Sequence, residues 1–289
     1  MESWVLQNES ILRLSSFVVV FFSIAMWEWL APKRKRLKSL TTRWVNNLSL
    51  MLINTLLIRV FFPMAAVGIA LIISEQQIGL LNLIEIHPIA AVTLSVILLD
   101  CAIYWQHRLM HKIPLLWRMH RVHHADPEFD VTTGLRFHPF EIAISMIYKT
   151  LIIALLGAPV LAVLIFELLL NAGSLFNHGN INLSAKFDAA LRRVIVTPDM
   201  HRIHHSTNAI ESNRNFGFAL SWWDHLFGSY QPTPGVAHET MPIGLDEYRD
   251  PKHTVSLTGV LSIPFINAHK KPATSAGFLS DKAYTSPSK

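Results

Sequence analysis

The chain has 289 residues, a formal net charge of +5, a pI near 9.4 and one cysteine. Hydrophobic residues make up 51 %, charged residues 16 %, and the mean hydropathy is +0.33, which excludes an ordinary soluble domain and points to a membrane-embedded one. Cys101 alone excludes a disulfide framework, a cysteine-ligated zinc site and an iron–sulfur cluster, and the basic surplus sits beside apolar runs, as loops facing anionic lipid do, rather than forming a nucleic-acid surface.

Residues 11–31 form an apolar run long enough to cross a bilayer. No basic segment precedes it and no small-residue cleavage site follows, so it reads as a retained anchor. Pro32 closes it, and Lys33, Arg34, Lys35, Arg36, Lys38 and Arg43 follow; the positive-inside rule assigns this cluster to the cytoplasm. Residues 48–73 are a second span running outward. The loop 74–87 carries Glu75 and Glu85 and no Lys or Arg, as an outer loop should. Residues 88–105 return inward, so His107 emerges on the side of the basic cluster. Arg59, Glu28 and Glu167 fall inside spans, where charges are expensive and pair; Arg59 is expected to pair with Glu167 or Asp100.

The apolar stretch 142–176 is interrupted by Gly157-Ala158-Pro159, which predicts a helical hairpin, 142–156 and 159–176, with a tight outer turn. Each half is shorter than the ~20 residues of a straight span, so one half is a candidate re-entrant segment. Thr197-Pro198-Asp199 reads as a helix start, with Thr as cap, Pro in the first turn and an acid near the N-terminus. After Gly235 the chain turns polar, and from His269 it is expected to be a disordered tail. No internal repeat, Gly-rich nucleotide loop or strand pattern is present. The expected fold is therefore all-α and polytopic, with about four to five transmembrane helices under a cytoplasmic His-rich cap. It divides into anchor helices (1–95), a catalytic domain (96–250) and a polar C-terminal tail (251–289).

The histidines carry the chemistry. His107 and His111 are four apart; His120, His123 and His124 form H-x-x-H-H, and His201, His204 and His205 repeat it. Positions i, i+3 and i+4 share one helix face, so each cluster aims its rings at one point, as a metal requires. These eight imidazoles exceed one ion's capacity; two metals with about four or five nitrogens each would use eight to ten. His178, where a span ends, is the natural ninth ligand. His138, before Pro139 at a span entrance, is a tenth candidate, equally suited to orienting a ligand from outside. Asp100, two turns before His107, could accept a ring N–H from a ligand or make a purely structural hydrogen bond. His87 lies on the outer side; His225, His238, His253 and His269 lack helical partners and read as surface or packing residues.

The ordered set H-R-x-x-H at 107–111, H-x-x-H-H at 120–124, His138-Pro139-Phe140-Glu141, Asn177-His178, T-P-D-M-H-R-I-H-H at 197–205 and W-W-D-H-L-F-G at 222–228 resembles the fatty acid hydroxylase superfamily, also called the sterol desaturase family. The resemblance covers roughly residues 95–250 and is strongest to bacterial members and to alkylglycerol monooxygenase. It implies a membrane enzyme with two iron ions at the cytoplasmic face of a bacterial inner membrane, zinc being able to replace iron in purified protein. With O₂ as co-substrate and an external ferredoxin- or cytochrome-type electron donor, such an enzyme hydroxylates or desaturates a lipid C–H bond. The lipid (sterol, fatty acyl, carotenoid or ether lipid) and the oligomeric state stay open. His225 stands where family members often have Arg.

Two other classes compete. A zinc-dependent membrane hydrolase would need a general base in the motif, but there is no H-E-x-x-H, and Arg, Leu, Met, Val and Ile separate the paired histidines. A metal transporter would place its ligands near the bilayer midplane, whereas these cluster at one face.

Overall fold

The structure is a computed structural model and describes residue 4, residues 7–36 and residues 40–266. Among the described residues, five segments are long and apolar enough to cross a membrane. The first is α1 (Glu9–Leu30). The second starts as α2 (Leu40–Phe61), breaks, and resumes as α3 (Ala65–Glu75). The others are α4 (Pro88–Lys112), α6 (Pro139–Leu156) and α7 (Val160–Asn177). Large apolar side chains such as Val19, Phe22, Leu52, Leu56, Leu151 and Leu155 point outward from them. In water this exposure would be costly; in a bilayer it is the expected outer surface.

The predicted span 48–73 is therefore not one rod. Pro63 has no N–H to give the helix and clashes with the turn before it, and Ala65 takes a positive φ of 48°. The hairpin prediction holds: Gly157 ends α6 in the left-handed region (φ 67°), Pro159 precedes α7, and each arm has 18 residues, about 27 Å of helix. Gly79, φ 105°, lies against this turn so closely that a Cβ would run into the Gly157 backbone. One end of the bundle is thus a glycine-to-glycine contact.

At the other end sits a cap of short helices. α5 (Pro114–His124) follows α4 after one residue, Pro114 opening the new helix. α8 (Ala185–Leu191), α9 (Pro198–His204) and α10 (Trp222–Leu226) come after α7. Among the described residues there is no strand, only three isolated bridges.

The expected polar tail begins later than 251. α11 (Pro251–Thr254) and α12 (Leu257–Ser262) fold back, and Val260 and Ile263 are buried with Leu50 and Val122. The reason is local: Leu257, Val260, Leu261 and Ile263 make one apolar face, which packs on α2 and α5. The remainder of the predicted tail, and Lys38, lie outside the described residues.

Of the three charges expected inside spans, Glu28 and Glu167 have partners among the described residues and Arg59 does not. Glu167 pairs with both Arg13 and Lys149. Glu28 accepts the N–H groups of Val131 (2.6 Å) and Asn180 (2.8 Å) and tethers α1 to the cap. Arg59 pairs with neither Glu167 nor Asp100, contrary to expectation, because those carboxylates are taken by nearer donors. Arg43, counted above with the loop cations, is instead buried in the cap, with Asp126 at 2.8 Å and Asp130 at 2.6 Å.

Candidate metal centre

The nine histidines expected to converge do so. α4 carries His107 and His111 on its last two turns, α5 carries His120, His123 and His124, His178 caps α7, and α9 carries His201 and His204 with His205 as its cap. They separate into two groups whose ligand atoms lie within 4.8 Å of one another: His107, His111, His120, His124 and His204, then His123, His178, His201 and His205. Each H-x-x-H-H helix serves both groups. At a pitch of 3.6 residues, the i+3 and i+4 rings diverge enough to fall on either side of the interface, so α5 and α9 sit between two adjacent sites.

Four rings are fixed by what their Nδ1 atoms touch. His107 Nδ1–H donates to Phe216 O, His204 Nδ1–H to Arg214 O and His178 Nδ1–H to Ser174 O, each at 2.8 Å. His120 Nδ1 lies 2.6 Å from Glu141 Oε1. With the proton on Nδ1, the Nε2 lone pair points inward, as a metal ligand requires. The buried Nε2 atoms of His107, His111, His120, His124, His204 and His205 have no hydrogen-bond partner, and His178 Nε2 faces the Nε2 atoms of His123 (3.0 Å) and His201 (3.1 Å). Such a set of orphaned, converging lone pairs is unfavourable by itself and fits two metal ions of the kind that nitrogen ligands hold.

Burial keeps the rings neutral. Desolvation, then repulsion from neighbouring histidines, pushes His123, His124, His201 and His205 well below the ordinary histidine value. Burial likewise lowers His178 to about 4 and His204 to about 3. Neutral imidazole is the ligating form.

Aromatic rings close the site. Phe137 stacks on His123, Trp117 leans on His111 and His124, and Phe129 covers His178 and His205. Behind them Asp126 and Asp130 receive Arg43, and Thr133 Oγ1 donates to Asp126 (2.9 Å). Burial alone would raise the Asp126 carboxyl, but Arg43 and Arg136 outweigh it and hold it at about 2. Gly134 lies where a Cβ would meet Ser174 O and, at 3.2 Å, His178 Nδ1; the ring seats only because no side chain is there.

Two expected site residues stand apart. His138 belongs to neither group: its Nδ1 accepts the Phe140 N–H at 3.2 Å and caps α6, while its Nε2 faces Leu261 O at 3.3 Å. Preceding Pro139, it is held as an N-cap, pointed away from the other rings. Asp100 touches no histidine. It accepts from Trp223 Nε1 (2.8 Å) and from the amides of Leu220 (3.1 Å) and Ala219 (3.3 Å). Asp224 in turn holds the amides of Phe216 and Gly217 at 2.8 Å. Together they shape the loop whose Phe216 carbonyl orients His107, so Asp100 acts on the site through a loop. His225 stacks on Tyr230, away from the cluster.

Sequence reasoning gave no role to Glu141, the carbonyls of Phe216, Arg214 and Ser174, or the Arg43–Asp126–Asp130 set. Glu141 carried a signal, standing three residues after His138 inside a quoted motif. The carbonyls carried none, since every residue has one.

Beside His107 and His120 a cavity of about 930 Å³ opens between α2, α4, α6 and α7, lined by apolar side chains such as Met51, Ile58, Met110 and Met146 with a few polar ones among them.

The comparisons with known proteins agree with this geometry. Residues 92–229 match the model of the Fatty acid hydroxylase family. This stretch, just under half of the chain, is similar to the fatty acid hydroxylase family. The ornithine lipid hydroxylase OlsE of Rhizobium tropici is 31 % identical over 143 residues, covering 50 % of this chain and 42 % of that protein. The alkylglycerol monooxygenase of Homo sapiens is 26 % identical over 137 residues, 46 % of this chain and 28 % of that protein. A putative Delta(7)-sterol-C5(6)-desaturase 2 of Arabidopsis thaliana is 29 % identical over 148 residues, 48 % of this chain and 47 % of that protein. The chain thus spans less than half the length of these relatives. No solved structure matches it.

Proposed function

We propose that this chain is a fatty acid hydroxylase-like enzyme, a membrane-bound, O₂-dependent hydroxylase of a lipid C–H bond, with two iron ions held by nine histidines. One ion would sit among His107, His111, His120, His124 and His204, the other among His123, His178, His201 and His205. The observation that carries this reading is the convergence of buried Nε2 lone pairs with no protein partner. All-nitrogen sets suit iron as well as zinc, and the relatives named above are hydroxylases, monooxygenases and a desaturase acting on lipids. When bound, the ion pair supplies the oxidising power to exchange C–H for C–OH, with O₂ consumed, one water released and two electrons drawn from an external ferredoxin- or cytochrome-type donor.

The chain's own residues do the rest. Phe216, Arg214, Ser174 and Glu141 hold the Nδ1 protons, so the rings keep one tautomer throughout. Phe137, Phe129 and Trp117 keep bulk water off the rings. The cavity beside His107 and His120 gives a hydrocarbon chain a seat next to the first group. Lys33 pairs with Asp199 on α9, so the basic loop after α1 lies at the histidine end; this supports a cytoplasmic site, in a bacterial inner membrane.

The test is elemental analysis of detergent-purified protein with Mössbauer spectroscopy on ⁵⁷Fe-grown cells, followed by lipid turnover under ¹⁸O₂. Two coupled irons per chain and ¹⁸O in the product are expected. Label arriving from water, or one metal per folded chain, overturns the proposal.

A further inference from the structure

Among the described residues, Arg59 is the charge lining the cavity that no side chain neutralises. It stands near the end of α2, within an apolar span, and lines the cavity with its side chain exposed. Three carboxylates share that lining, and each is engaged: Glu9 with Arg13, Glu167 with Arg13 and Lys149, Glu141 with His120. Among the described residues Arg59 makes no hydrogen bond or ion pair. A cation at such a position is expensive and is normally paired.

A second group points the same way. Asn54, on the same helix and 7 % exposed, also lines the cavity. Its Nδ2–H donates to Phe137 O at 2.9 Å, but its buried Oδ1 has no partner. Five residues, about 7.5 Å of helix rise, separate it from Arg59. One side of the cavity therefore offers an unpaired cation and, nearer the histidines, an unpaired acceptor. Neither suits a plain hydrocarbon or a neutral carotenoid, because burying them against apolar atoms leaves both unsatisfied.

We propose that the substrate is an anionic amphiphile whose carboxylate or phosphate is held by Arg59, with a headgroup O–H or N–H donating to Asn54. This rests on the hydroxylase reading above and names its substrate class. The break between α2 and α3 borders the cavity at Phe62, Pro63 and Met64, and an apolar groove continues from it along Met146 and Ile147, giving an acyl chain a way in from the bilayer.

The test is binding to metal-free protein in nanodiscs of zwitterionic lipid, using three probes with the same chain: oleate, oleoyl lysophosphatidate and oleyl alcohol. At least one anion should bind about tenfold or more tightly than the alcohol, the range expected of a hydrogen bond to a charged group. The tighter anion identifies carboxylate or phosphate as the ligand chemistry. Arg59→Gln should erase the preference and Arg59→Lys retain most of it. Equal binding of all three probes by the wild-type chain, or a preference that survives Arg59→Gln, overturns the proposal. The assay involves neither metal nor turnover, so failure of the iron assignment would not alter its result, and loss of the preference would leave the metal stoichiometry standing.

Discussion

Glu141 Oε1 lies 2.6 Å from Nδ1 of His120, both side chains being buried. A carboxylate behind a ligating imidazole fixes its tautomer and raises its basicity. Replacing Glu141 with Ala should lower the affinity for metal at the first group by about 10–100-fold, with Gln recovering part of it through a neutral hydrogen bond. Competition against a chelator of known affinity measures this. Unchanged affinity in Glu141→Ala would show that the carboxylate only fills space.

His204→Ala and His123→Ala remove one member from each group. Each should abolish activity and lower bound metal while leaving membrane insertion intact. His87, which caps α4 at the opposite end, should tolerate Ala with full metal content and activity. Equal metal content in all three variants would dissolve the two-group assignment.

The fold was legible where spacing or a breaker residue set the outcome. Hydropathy marked the spans, Pro114 and Pro159 marked the breaks, the i, i+3, i+4 pattern grouped eight rings, and the end of a span added His178, without any tertiary information. What was not legible depended on contacts far apart in the chain. Arg43 counted as a loop cation until Asp126 and Asp130, more than eighty residues later, were seen to enclose it. Asp100 was given to a histidine two turns away on its own helix, but Trp223, 123 residues on, reaches it first. His138 sits in a histidine-rich sequence yet is held by the capping geometry of Pro139. The short apolar face of 257–263 was lost in a polar average.

Arg43 tests how far the cap depends on α2. Its guanidinium is 2 % exposed and bridges Asp126 and Asp130. Truncating it to Ala leaves two buried carboxylates uncompensated, a loss of about 3–5 kcal/mol. The variant should insert in the membrane, lose metal and unfold at lower temperature. A triple variant that also replaces Asp126 and Asp130 with Asn should recover part of the loss, because the stranded charges are gone. Thermal unfolding of the wild type, Arg43→Ala and the triple variant decides it; no recovery in the triple variant would mean the ion pairs are not what Arg43 supplies.

The metal-free chain should be acid-labile, and the sign follows from the histidines. In the unfolded state each takes up a proton near 6.5. Folded, His178 does so only at about 4 and His204 at about 3, because burial disfavours the charged ring. Between those values and 6.5 the unfolded chain binds more protons than the folded one, so stability falls as pH falls. The contribution is complete above about 6.5 and is lost progressively toward 3–4. By pH 5 the loss amounts to roughly 2 kcal/mol for each such histidine. Metal-free protein should therefore melt at a markedly lower temperature at pH 5 than at pH 7, while the metal-loaded form resists until protons displace the ions. A melting temperature that stays flat over this interval in the metal-free chain would mean that these rings are not held neutral in the fold.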